Sequence, residues 1–122
     1  MTDYRIAILP GDGTGREVAL EAAKILNTIQ ENSNYGFDLL DIPCGGQLYQ
    51  ETGKEWEEGS FELCRDEADA IFLGAIGQPG AYLPNGDLAG GSVILGLRSG
   101  LDLYANVRPV KLFDGVLHKV HG

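Results

Sequence analysis

With 122 residues, the chain has room for one domain, or for one domain and part of a second. Its formal net charge of −9 excludes an interface with a nucleic-acid backbone, which needs clustered Lys and Arg, and no apolar run approaches the ~20 residues of a membrane span. The 18 glycines are about twice the usual share but follow no period, so collagen-like and linker readings fail.

The opening residues carry no basic leader or cleavage site, so no signal peptide is expected. Cys44 and Cys64 are too few for a disulfide framework and too sparse for a zinc site. They are expected as two reduced thiols of a cytoplasmic protein.

Tyr4 to Leu9 is a short apolar run that stops at Pro10 and a glycine-rich turn, the pattern of a buried strand. From Arg16 the spacing becomes helical, with Val18, Ala22, Ile25, Leu26 and Ile29 on one face and Glu17 in the first turn, where the macrodipole favours an acid. Asn32 to Gly36 is a turn by composition, and Phe37 to Ile42 alternates like a second strand until Gly45-Gly46 breaks it. A weakly helical stretch follows, with a helix expected over Trp56 to Asp66 that turns Phe61 and Cys64 inward. The acidic run Glu51 to Glu58 reads as a solvated face.

Ala70 to Leu73 is a third, fully apolar strand. The loop from Gly74 to Gly91 holds six Gly, two Pro and no basic residue, a length that usually signals function or disorder. Ser92 is expected to cap a helix over Val93 to Ser99. Leu101 to Val107 is expected as a fourth strand, with Pro109 to Phe113 extended beyond it. His118 and His121 read as part of a solvated tail rather than a metal pair. Strands alternating with helices indicate an α/β protein with a largely parallel sheet, about half of a doubly wound domain.

Three motifs could carry chemistry. In Pro10-Gly11-Asp12-Gly13-Thr14-Gly15-Arg16-Glu17, alternate glycines between strand and helix allow backbone N–H groups to approach an anion, or simply make a tight turn. The dinucleotide fingerprint fails because Arg16 stands where it needs Gly, no P-loop Lys follows, and Asp12 and Glu17 would repel a phosphate. The run Leu73 to Pro79 leads off the carboxyl end of a strand, where open α/β sheets bind ligands, though an ordinary surface loop fits equally. Arg98 and Arg108 stand in an apolar setting. Each guanidinium there calls for a carboxylate, either from Asp102 or another acid of the chain or from a ligand held bidentately.

Taken in order, Ile6 to Gly15, Asp69 to Gly77 and the run Leu97-Arg98 through Ala105-Asn106-Val107-Arg108-Pro109 resemble the β-decarboxylating dehydrogenases, the isopropylmalate and isocitrate dehydrogenase family. The third motif is the most specific, and the likeness covers nearly the whole chain. It implies an isopropylmalate dehydrogenase-like α/β fold that is not Rossmann. Residues 1–100 would then be the N-terminal part of the large cofactor and substrate domain, and 101–122 the start of a central domain. The parent enzyme would oxidise and decarboxylate a malate-type 2-hydroxy dicarboxylate with NAD and Mg²⁺ or Mn²⁺, as a cytoplasmic homodimer, with a place in leucine biosynthesis for the isopropylmalate members.

The resemblance assigns substrate carboxylates to Arg98 and Arg108, and substrate contacts to Ser92, Ile94 and Leu95. It assigns the nicotinamide side to Ile76, Gly77, Gln78 and Gly91. The proton-transferring Tyr and Lys, a third arginine and the metal-binding Asp residues are expected beyond residue 122, so no catalytic or metal-binding residue is assigned in this chain, which alone should be inactive.

Thr14 and Arg16 replace the family's usual hydrophobic residue and Pro, and Gly91 replaces the Glu usual in isopropylmalate enzymes. Ser92 matches isocitrate enzymes, but Ile94 replaces their Asn. The apolar pair Ile94 and Leu95 therefore points to an isopropyl group, with isocitrate or tartrate next. From a different class, a non-catalytic small-anion or nucleotide-binding module, or a structural piece acting only with a separate remainder, fits the same composition.

Overall fold

The computed structural model describes residues 2–117. Its centre is β1 (Thr2–Leu9), whose last residues Ala7, Ile8 and Leu9 are all buried because the strand is covered on both faces. β2 (Tyr35–Asp41) and β3 (Ala70–Leu73) flank it in the order β2-β1-β3, and both run parallel to it. Ala7 pairs with Leu40 on one side and Ile71 on the other. Because the chain lays β2 on one side of β1 and β3 on the other, the strand order reverses at β1. In open α/β sheets a reversal of this kind marks the crevice outside the carboxyl ends of the strands where ligands bind, here those of β1 and β3.

Alternation along β1 divides the molecule into two layers. Ala7 and Leu9 enter the main core with Ile42, Cys44, Cys64, Val93 and Leu97, and Trp56, Phe61 and Leu73 pack around it. On the other face lies α1 (Thr14–Glu31), which buries Gly15 and Ala19, with Ala22, Ala23 and Leu26 half-buried behind them. Small residues let the helix settle close to the strands. The apolar stripe read from the sequence is therefore split, because Val18, Ile25 and Ile29 remain exposed, as does Leu20. Among the described residues nothing covers that second row.

α2 (Gly46–Thr52) fills the weakly helical stretch. The helix expected over Trp56 to Asp66 is shorter. It begins as α3 (Ser60–Glu62) and runs on as a π-helical turn over Leu63–Glu67, with Phe61 and Cys64 facing inward as expected. Trp56 instead forms an isolated antiparallel bridge with Cys44 and meets the Phe61 ring edge-on, 6.4 Å between centroids. α4 (Gly91–Gly100) is capped by Gly90 rather than Ser92.

The fourth strand expected over Leu101 to Val107 does not form. α4 closes through Leu101 and Asp102, the latter at φ +52°, and residues 102–117 are exposed. A strand-like pattern needs a neighbouring strand to bond to, and none stands beside this segment among the described residues. His118 and His121 lie outside the described residues.

Candidate functional site

The turn after β1 and the loop after β3 are pressed together at the crevice. A Cβ added at Gly11 would lie 2.2 Å from the Ala75 carbonyl oxygen, and one at Gly74 would lie 2.2 Å from that of Pro10. The alternate glycines therefore serve backbone-on-backbone packing. Three of the turn's N–H groups are spent within the protein: Asp12 N–H donates to the Ala75 oxygen at 2.8 Å, Gly15 N–H to the Asp12 oxygen at 2.8 Å and Arg16 N–H to the Gly13 oxygen at 3.2 Å. Those three amides are therefore not free for an external phosphate.

The only anion in that turn is its own. Asp12, 3% exposed, accepts the N–H of Gly46 at 2.8 Å and of Gly77 at 2.9 Å on Oδ2, and the N–H of Gln47 at 2.9 Å on Oδ1. The acid that counts against phosphate binding in the sequence thus completes the N-terminus of α2 from across the crevice. Glu55 does the same for α4. Its Oε1 accepts from Gly90 N–H and, at 3.4 Å, from Ser92 N–H, and its Oε2 accepts the Ser92 hydroxyl. Nothing in the sequence singles out Glu55 from the acidic run, where it reads as solvated. Its partners lie 35 and 37 residues away, beyond any local signal.

These contacts gather the residues assigned to the cofactor side. Ile76 is half-buried against Gly90, where an added Cβ would meet Ile76 Cγ2 at 2.1 Å. Gln78 packs over Gly46, and Gly77 hangs from Asp12. Gly91 opens α4 with nothing within 4 Å of the position a Cβ would take.

Down α4 two rows separate. Val93 and Leu97 enter the core. Gly91, Ile94, Leu95 and Arg98, spaced by three, four and seven, line the opposite side, with Leu95 63% exposed. Arg98 lies about 10 Å along the helix from Gly91, at 1.5 Å per residue.

Arg98 is exposed rather than embedded in apolar surroundings, and it lines a recess of about 460 Å³ with Leu103 to Val107. Arg108 stands on the exposed segment that follows, its Nε 3.5 Å from Asn106 Oδ1. Among the described residues neither arginine forms an ion pair, so the internal partner that the sequence leaves open, Asp102 included, is not used. Ser92 is present on α4, but its hydroxyl is committed to Glu55.

A second groove, about 440 Å³, lies between α1 and the sheet and is lined by Ile8, Arg16, Ala19, Leu20 and Leu39. It is on the other face of the sheet from the core row of α4. Its walls are mostly apolar, and of the exposed apolar residues of α1 they include Leu20 alone.

Neither thiol suits nucleophilic work at neutral pH. Burial pushes Cys44 up to about 11, against a smaller opposing hydrogen bond from the Gly11 backbone, and burial also raises Cys64. Both are free. No three His, Cys, Asp or Glu side chains converge among the described residues, so nothing here fits a metal ion. No described helix is long and apolar enough to cross a membrane.

Known proteins share this sequence and fold. The family model described as isocitrate/isopropylmalate dehydrogenase matches residues 5–121. The 3-isopropylmalate dehydrogenase of Desulfitobacterium hafniense is 38% identical over 114 residues, covering 93% of this chain and 32% of that protein. The enzyme of the same name from Prochlorococcus marinus is 39% identical over 119 residues, covering 96% and 32%. The crystal structure of a β-decarboxylating dehydrogenase from Thermococcus kodakarensis, in its apo form, superposes with a TM-score of 0.60 at 35% identity, over 83% of this chain and 27% of that one. The chain thus spans about a third of the length of the curated relatives it matches. Fold, motif order and family match converge, and the chain belongs to the isocitrate/isopropylmalate dehydrogenase family.

Proposed function

We propose that this chain supplies part of the substrate and cofactor site of an NAD-dependent β-decarboxylating dehydrogenase acting on a 2-hydroxy dicarboxylate, 3-isopropylmalate foremost. The observation that carries the reading is the outer row of α4. Ile94 and Leu95 are apolar without serving the core, and Arg98, one turn further on, has a charge that no acid among the described residues neutralises.

A ligand bearing an alkyl branch beside a carboxylate matches that row. Arg98 and Arg108 bind and orient the carboxylates through their planar forks, while Ile94 and Leu95 exclude water around the branch. NAD, when bound, supplies the hydride acceptor. Its nicotinamide would lie along Ile76, Gly77, Gln78 and Gly91, where glycine leaves the backbone open. Arg98 then holds the substrate about two helical turns from Gly91, so the reacting carbon is aimed rather than merely bound. Mg²⁺ or Mn²⁺ finds no ligand set among the described residues, and no step is assigned through it. A cytoplasmic homodimer belongs to the same reading.

The test is a chimera in which residues 5–117 replace the matching stretch of the D. hafniense enzyme. Reduction of NAD with 3-isopropylmalate, in preference to isocitrate and tartrate, is the expected result. A folded chimera that reduces NAD with none of the three would refute the reading.

A further inference from the structure

Asp12 makes two kinds of contact with the loop after β3, and they bracket one residue. Its backbone N–H donates to the Ala75 carbonyl at 2.8 Å, and its carboxylate Oδ2 accepts the Gly77 N–H at 2.9 Å. Ile76 sits between these anchors, so both peptide units that set its direction are held by the same amino acid. Ile76 in turn packs against Gly90, immediately before α4. The same carboxylate accepts from Gly46 and Gln47 at the start of α2, and Gly46 lies under Gln78. Three N–H groups therefore converge on one buried acid, and two of them, those of Gly77 and Gly46, belong to or lie under the segment. A solvated loop of this length would otherwise sample many conformations.

We propose that Asp12 is the positioning residue of the Ile76–Gln78 segment, holding it in the shape that receives the nicotinamide. The proposal rests on the cofactor reading of that segment given above. Asp12 does not touch the ring. It acts through the Gly77 amide and through the α2 terminus beneath Gln78. An acid is required because the three donors need acceptors and no donor of its own can be tolerated among them. An amide of the same shape must turn an NH₂ group toward at least one N–H.

Two measurements on Asp12→Asn test this, with Glu55→Gln as the control that disturbs the start of α4 but not Gly77. The first is hydrogen–deuterium exchange on the 122-residue chain. Replacing charge-assisted bonds by neutral ones, with one donor left unpaired, should speed exchange in residues 74–79 by about tenfold. Exchange in β2 should not change, and Glu55→Gln should leave the Gly77 amide as it was. Unchanged exchange in 74–79 of a folded Asp12→Asn chain overturns the proposal. If that variant does not fold, Asp12→Ser, which keeps a single acceptor, is read in its place with the same expectation.

The second measurement is steady-state kinetics in the chimera. KM for NAD should rise about tenfold with the KM for the dicarboxylate within twofold. An equal rise in both, or a loss of thermal stability with unaltered kinetics, marks a purely structural acid and overturns the proposal. If the unsubstituted chimera folds but reduces no NAD, the functional reading fails, and the exchange result alone decides whether Asp12 positions the segment.

Discussion

Gly11 and Gly13 both adopt positive φ, +70° and +49°, within three residues of one turn, yet only one of them is packed. Gly11→Ala meets two penalties. A left-handed backbone with a Cβ costs about 1–2 kcal/mol. The new methyl would also lie 2.9 Å from the Ala75 carbon and 2.2 Å from its oxygen, the latter more than an ångström inside ordinary contact. Both atoms are backbone, so no side-chain rotation relieves the overlap, and the turn must lift from Ala75. That breaks the 2.8 Å bond from Asp12 N–H, leaving a buried donor unpaired at about 1–3 kcal/mol.

The expected loss is about 2–5 kcal/mol for Gly11→Ala and about 1–2 kcal/mol for Gly13→Ala, whose Cβ would meet nothing within 4 Å. Urea unfolding followed by Trp56 fluorescence suits the comparison, because Trp56 packs against the core beside Phe61. With a typical dependence on urea, a difference of about 2 kcal/mol separates the two midpoints by about 1 M. Coincident midpoints would refute the claim that the alternate glycines exist for packing.

In the chimera, Arg98→Lys and Arg108→Lys should each lower kcat/KM about 30- to 150-fold, the equivalent of about 2–3 kcal/mol, because an ammonium cannot match the bidentate fork. Arg65→Lys, at an exposed residue paired with its neighbour Asp66, is the control, and equal tolerance at all three positions would reassign the first two as ordinary surface charges. Ile94→Asn should shift preference from 3-isopropylmalate towards isocitrate, read as the ratio of kcat/KM for the two substrates; an unchanged ratio removes Ile94 from the substituent pocket. For Cys44, the folded thiol holds its proton up to about 11 while the unfolded one releases it near 9.0. The unfolded state then binds fewer protons between those values, so urea midpoints should hold below pH 9 and fall from there towards pH 11, and a Cys44→Ala chain should lose that slope. The 122-residue chain should self-associate, because the outer edges of β2 and β3 are unpaired in the sheet and α1 exposes Val18, Leu20, Ile25 and Ile29; a monomer in light scattering would refute this.

The three strands and the helices about α1 and α4 are legible in the sequence because period and punctuation coincide: Pro10 and Gly74 end strands, and the spacing after Arg16 is helical. The failures have particular causes. Leu101 to Val107 carries a strand's composition, but a strand exists only with a partner, which composition cannot supply. The stripe on α1 is truly periodic, yet the sheet takes the small residues Gly15 and Ala19 instead of the large ones. At the site, motif order gives the loop and the arginines. The exposure of Arg98 and Arg108 is not legible, since an apolar neighbourhood along the chain is not one in space. Asp12 and Glu55 are invisible as clips for the same reason, because each completes a helix start some 35 residues away.

The two rows of α4 let one short helix evolve on two clocks. Val93 and Leu97 answer to the core, where a changed volume is felt at once through its packed neighbours. Leu95 and Arg98 are exposed and Gly91 and Ile94 half-buried outside the core, so a new side chain there presses on fewer packed neighbours. Substitutions on the outer row thus weigh less on the fold, and a lineage can exchange side chains there without first repairing its core. A mixed library confined to positions 94 and 95 should accordingly yield mostly folded proteins of altered preference, whereas the same library at 93 and 97 should yield mostly unfolded ones.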